Sequence, residues 1–170
     1  MSLLHDLDRR IAYGVVGGTF AGLLFLLANM WYADSQGLPA VAPLYDISTI
    51  FYFADMPDPQ PVNAAVGLVV HLTLAAAFGA TLAAIAPLAR GALRLVGLGA
   101  AFGLVLYLVN FQILGRVAFE WFQEGPNQTF EVFAHLGYGL LVVPFLLRFA
   151  GVAEQQPAPS VARRATSATG

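Results

Sequence analysis

The sequence predicts an all-α transmembrane protein, a four-helix bundle made of a duplicated two-helix hairpin with both termini cytoplasmic. Three observations predict it. Of 170 residues, 58% are apolar and only 11% charged, and the mean hydropathy of +0.71 is far from that of a soluble domain. Four apolar stretches each reach the length of about 20 residues that an α-helix needs to cross a hydrocarbon core. The arginines fall between those stretches so that nearly all of them lie on one side.

The first span is placed near 11–33. Arg9 and Arg10 precede it, but its apolar run is too long for a signal peptide and no small-x-small cleavage site ends it. It is therefore a retained helix, with the arginine pair as a cytoplasmic anchor and His5 in an interfacial lead, MSLLHDLDRR. The outer loop 34–61 carries Pro39, Pro43, Pro57, Pro59 and Pro61 and so is not one continuous helix. Within it Leu44, Ile47, Ile50, Phe51, Tyr52 and Phe53 form an apolar, aromatic segment. That segment is expected on the membrane surface or folded over the bundle, as a filler rather than a lid. The remaining spans are placed near 62–86, 92–117 and 129–150, the last bent by Pro144. Residues 151–170 are small, polar and proline-bearing, a disordered cytoplasmic tail that completes a two-part organisation, 1–150 and 151–170.

Orientation follows from charge. Arg9, Arg10, Arg90, Arg94, Arg148, Arg163 and Arg164 share one side, which the positive-inside rule makes cytoplasmic. Asp34, Asp46, Asp55, Asp58, Glu120, Glu124 and Glu131 share the other, with Arg116 alone against them. Arg116 and Glu120, four apart, are expected to form an interfacial ion pair. Trp31, Tyr32, Trp121 and Phe122 fit an outer aromatic belt.

An internal repeat sharpens the reading. GTFAGLLFLLAN, ending at Asn29, aligns without gaps on GAAFGLVLYLVN, ending at Asn110. Asn63 lies eight residues before His71-Leu72, as Asn127 does before His135-Leu136. Spans one and three run in the same direction, so the copies form a parallel repeat about an axis along the membrane normal. At about 1.5 Å per residue, His71 and His135 lie roughly 10 to 13 Å below the outer surface. Asn29 and Asn110 fall near the outer ends of their spans, in the same layer. Because steps of seven and eleven residues return to nearly the same helical direction, Gly18, Gly22 and Asn29 share a face, as do Gly99, Gly103 and Asn110. Gly-x3-Gly faces let helices approach closely, so both asparagines are expected to point inward.

Polar side chains within a membrane face the interior and are candidates for function. One reading of this layer is structural, with His71 satisfied by Asn29 or Asn110 and His135 by Glu131. Another is a site. Two level imidazoles, His71 and His135, suit the axial positions of one b-type haem, with Glu131 as the outer partner of His135. As ligands of a lone metal ion, His71 and His135 have poor company in Asn29, Asn110 and Glu131. A third possibility is a quinol or small polar solute held by His71, His135, Asn110 and Gln112, with Glu131 taking a proton.

Other classes are excluded or unsupported. A net charge of −2 with no lysine gives no nucleic-acid surface. Zero cysteines exclude disulfides, thiolate metal sites and cysteine nucleophiles. No nucleotide loop, zinc-protease pair or nucleophile elbow is present, so no catalytic residue is assigned. His71-Leu72, Val109-Asn110-Phe111, Trp121-Phe122 and His135-Leu136 together resemble a group of small four-span bacterial membrane proteins of no assigned activity. The resemblance covers roughly the last two-thirds of the chain and implies four spans in a bacterial inner membrane. It supplies no cofactor and no catalytic residue. The expected partners are the lipid bilayer and a larger membrane complex, respiratory assemblies foremost, or further copies of the chain. A small redox or ligand-binding module is the alternative.

Overall fold

Helix α1 runs from Ser2 to Ser35 in the computed structural model of the chain, which describes residues 2–54 and 56–150 with side chains from residue 6 onward. The amphipathic lead is thus continuous with the first span. Asp55 and the tail 151–170 lie outside the described residues. Helix α2, Ala42–Tyr52, carries Pro43, whose fixed φ suits a first turn, as its second residue and stops where Phe53 turns left-handed at φ 51°. Helix α3, Pro61–Ile85, opens on a proline and ends in a 3₁₀ turn, Ala86–Leu88. Gly91, at φ 88°, makes the turn into α4, Ala92–Tyr107.

Beyond α4 the span does not continue as an α-helix. Residues Leu108–Leu114 form a π-helical turn, followed by α5, Gly115–Val117, and the short α6, Trp121–Glu124. A widened turn leaves backbone groups without their usual partners. Here the side-chain amide of Gln123 enters and donates to the carbonyl of Phe111. Helix α7, Gln128–Ala150, carries Pro144 inside it. Among the described residues every regular element is helical. Four helical stretches, Asp6–Ser35, Pro61–Leu88, Ala92–Val117 and Gln128–Ala150, are long and apolar enough to cross a membrane. The chain is a multi-pass membrane protein by that criterion.

The closest packing runs α3 against α1, α1 against α7 and α7 against α4. Glycines set the approach. A Cβ added at Gly79 would meet the carbonyl oxygen of Gly14 and come within 2.6 Å of the Gly18 Cα. One added at Gly139 would meet the carbonyl of Gly99 and lie 2.9 Å from the Gly103 nitrogen. Without a solvent-driven hydrophobic force between helices in lipid, such backbone proximity is what holds them. Between the two pairs, Tyr138 donates its hydroxyl to the Ala75 carbonyl at 2.6 Å, and Phe20 meets Phe145 at 5.7 Å between ring centres. Ala21, Leu82, Val142 and Leu146 are fully buried at the centre.

The loop segment packs rather than floats. Leu44, Ser48 and Thr49 of α2 are buried, and a Cβ at Gly67 of α3 would run into the Leu44 carbonyl. The indole of Trp121 donates to the Thr49 hydroxyl at 2.8 Å. Trp121 therefore also ties α6 to α2, while Trp31 stays 68% exposed, as an interfacial residue does. The expected Arg116 and Glu120 pair does not form. Helix α5 ends at Val117, so a spacing of four no longer places both on one face, and Arg116 donates to Gln112 Oε1 at 3.1 Å instead.

Candidate functional site

The two intramembrane histidines reach their positions from different helices. His71 lies ten residues into α3 and His135 seven residues into α7, both in the halves nearest α2. Each imidazole contacts the ring of Phe25 from α1. His71 stacks on it at 5.7 Å between ring centres and 26° between planes, whereas His135 meets it edge-on at 4.9 Å and 86°. Phe25 is thus wedged between the two rings.

Both imidazoles have protein partners. His71 Nε2 donates to the Gly22 carbonyl at 2.8 Å, an acceptor exposed sideways because Gly22 has no side chain to cover it. His135 Nδ1 donates to the Glu131 carbonyl at 2.8 Å, one turn earlier on the same helix. Its Nε2 then accepts from Asn110 Nδ2 at 3.4 Å. Three aromatic rings besides Phe25 close in around His135, or near it: Tyr107 at 6.0 Å, Phe111 at 5.4 Å, and Phe122 against Phe111 at 5.1 Å.

Glu131 is 5% exposed, and its carboxylate reaches His135 Nδ1 at 3.5 Å, longer than a good hydrogen bond. The equivalent position in the first pair of spans is Gly67, which is covered by α2. Asn29 does not join the histidines. Its amide donates to the Phe25 carbonyl on its own helix at 3.1 Å, a local bond that competes with reaching across the interior. Asn63 and Asn127 act at helix starts, Asn63 donating to the Asp58 carbonyl and Asn127 accepting from the Phe130 amide.

Next to His135 lies a polar chain of which the sequence singled out Gln112 but not Tyr107 or Gln128. Tyr107 donates to Gln128 Oε1 at 3.0 Å and accepts from Gln112 Nε2 at 3.0 Å, and Gln112 leads on to Arg116. Tyr107 and Gln112 are brought together by the π turn, which an assumption of uniform 100° steps does not anticipate. Phe25 was also passed over. A phenylalanine in an apolar run carries no polar signal, and its place between the imidazoles depends on the α1 to α7 packing.

These residues do not fit a haem held between His71 and His135. The Phe25 ring lies against both imidazoles, His71 Nε2 is spent on a backbone carbonyl and His135 Nε2 on the Asn110 amide. Among the described residues there is also no group of three or more histidine, aspartate or glutamate side chains placed to hold a metal ion. The arrangement provides a satisfied hydrogen-bonding layer and, at Glu131, a buried carboxyl with one imidazole beside it. No family model, curated protein or solved structure matches the chain.

Proposed function

We propose that the chain is a non-catalytic subunit or scaffold of a larger membrane complex in a bacterial inner membrane, with both termini cytoplasmic. One observation carries this reading: both imidazoles are engaged by protein groups and separated by Phe25. Polar groups that satisfy one another specify how helices pack and need no ligand to justify their presence. The reading includes a duplicated hairpin. Its support is that Gly18 lies against the Ala75 carbonyl as Gly99 lies against that of Gly139, while Gly22 faces His71 as Gly103 faces His135. A respiratory assembly is the context in which to look first.

The test is purification of the chain from its native membrane in mild detergent. Co-purifying subunits at fixed stoichiometry are expected, with a colourless spectrum before and after dithionite. A folded, partner-free monomer under the same conditions overturns the scaffold reading.

One observation favours a second reading, a small ligand-binding module. Glu131, buried with a single imidazole contact at 3.5 Å, has capacity left for a quinol or small polar solute held with His135 and Asn110. Tighter binding of such a solute by the parent chain than by Glu131→Gln would support it, and equal binding would remove it.

A further inference from the structure

We propose that the arginine-bearing end of the helices holds the phosphate of an anionic phospholipid, in a site made by Arg10 and Arg90. The site is a pocket of about 180 Å³ between the start of α1, the 3₁₀ turn after α3 and the end of α7. Arg10 and Arg90 line it together with Pro87, Leu95, Leu146 and Phe149. Among the described residues, the Nε of Arg10 is buried and has no hydrogen-bond partner.

A guanidinium N–H withdrawn from water needs an acceptor, and the fork geometry of arginine matches the paired oxygens of phosphate or carboxylate. Among the described residues no carboxylate lines the pocket. The walls deeper than the two guanidinium groups are apolar, which suits a glycerol backbone and the first methylenes of an acyl chain rather than a free anion. Depth agrees. Arg10 is four residues into its span and Arg90 two beyond the end of another, so at about 1.5 Å per residue both lie within roughly 6 Å of the membrane boundary. This is headgroup level, where basic pockets between helices take acidic lipids. The pocket is smaller than the roughly 300 Å³ at which small-molecule sites begin, enough for a phosphate and its ester linkage but not for a whole metabolite. Arg148 is held aside, its guanidinium 4.5 Å over the Tyr13 ring and 5.8 Å from that of Phe149. It therefore frames the Phe149 wall without filling the pocket.

The experiment is thermal unfolding of the full chain in a neutral detergent with added phosphatidylglycerol, phosphatidylcholine or inorganic phosphate. Phosphatidylglycerol near 100 times its Kd is expected to raise the midpoint by about 5 to 10 °C, and phosphatidylcholine to leave it unchanged. Arg90→Gln, an exposed position, should remove the shift, as should Arg10→Gln. Arg94→Gln, outside the pocket, should keep it. Native mass spectrometry of the same samples should show one retained anionic lipid in the parent and none in Arg90→Gln. A shift of the same size with inorganic phosphate assigns the site to a free anion and overturns the lipid. Loss of the shift in Arg94→Gln overturns a defined site in favour of diffuse surface charge, and no shift with phosphatidylglycerol overturns the proposal altogether.

Discussion

Replacing Gly139 with alanine should separate α7 from α4, and the neighbouring Gly137 provides a matched control. A methyl group at Gly139 would lie 2.9 Å from the Gly103 nitrogen and 3.0 Å from the Gly99 carbonyl carbon, besides meeting the Gly99 oxygen. All three obstacles are backbone, so no side-chain rotation relieves them. Ordinary contact starts at 3.4 Å, and the helices must part by roughly 0.5 to 1 Å, which forfeits a quarter to a half of each dispersion contact. For an interface with on the order of 40 heavy-atom pairs at about 0.15 kcal/mol each, the loss is about 2 kcal/mol. A methyl at Gly137 meets nothing within 4 Å. There alanine gains helix propensity, about 0.5 to 1 kcal/mol. Two glycines on one helix should therefore differ by about 2 to 3 kcal/mol in opposite directions. In thermal unfolding in detergent this is a gap of about 5 to 10 °C between Gly139→Ala and Gly137→Ala. Equal midpoints for the two variants would refute the argument that close backbone approach, rather than helix propensity, governs this interface.

Tyr138→Phe removes the 2.6 Å bond to the Ala75 carbonyl that joins α7 to α3. The expected cost is about 1 kcal/mol, read as a lower midpoint in denaturing-detergent titration; an unchanged midpoint would strike this bond from the account. Asp46 on α2 is pushed up from 3.8 to about 6 by burial. Because the folded value lies above the unfolded one, stability from the neutral acid is complete below pH 3.8 and is lost as pH rises through about 6. Protease protection of the α2 segment should fall across that window in the parent and stay level in Asp46→Asn, while a parent profile as flat as the variant's would contradict the burial argument.

Much of the architecture was legible because bilayer thickness leaves few choices. Spans placed at 11–33, 62–86, 92–117 and 129–150 each fall on a helix long and apolar enough to cross a membrane. Glycine spacing also identified Gly18, Gly22, Gly99 and Gly103 as sites of close helix approach. The site was harder to read. Sequence periodicity aims a side chain but does not choose its partner, so Asn29, correctly placed on a span, spends its amide on its own helix. The Gly22 carbonyl, the partner of His71, is a backbone atom with no sequence signature except the missing side chain above it. The π turn at Leu108–Leu114 changes the angular step midway through a span. A count of sevens and elevens begun on α4 still aims Asn110 at His135, but it does not anticipate Gln112, five residues after Tyr107, returning to that ring's hydroxyl.

The wedge of Phe25 between His71 and His135 also changes how genetic screens of this protein should be interpreted. Substituting His71 removes its hydrogen bond to α1, substituting His135 removes the one it accepts from Asn110, and either change loosens an aromatic contact with Phe25 in the same stroke. A loss-of-function phenotype at these positions is thus what misassembly alone would produce, and it carries no information about chemistry. The discriminating allele is at Phe25 itself: a smaller residue there opens the gap while sparing both rings, so its phenotype separates a need for packing from a need for imidazole.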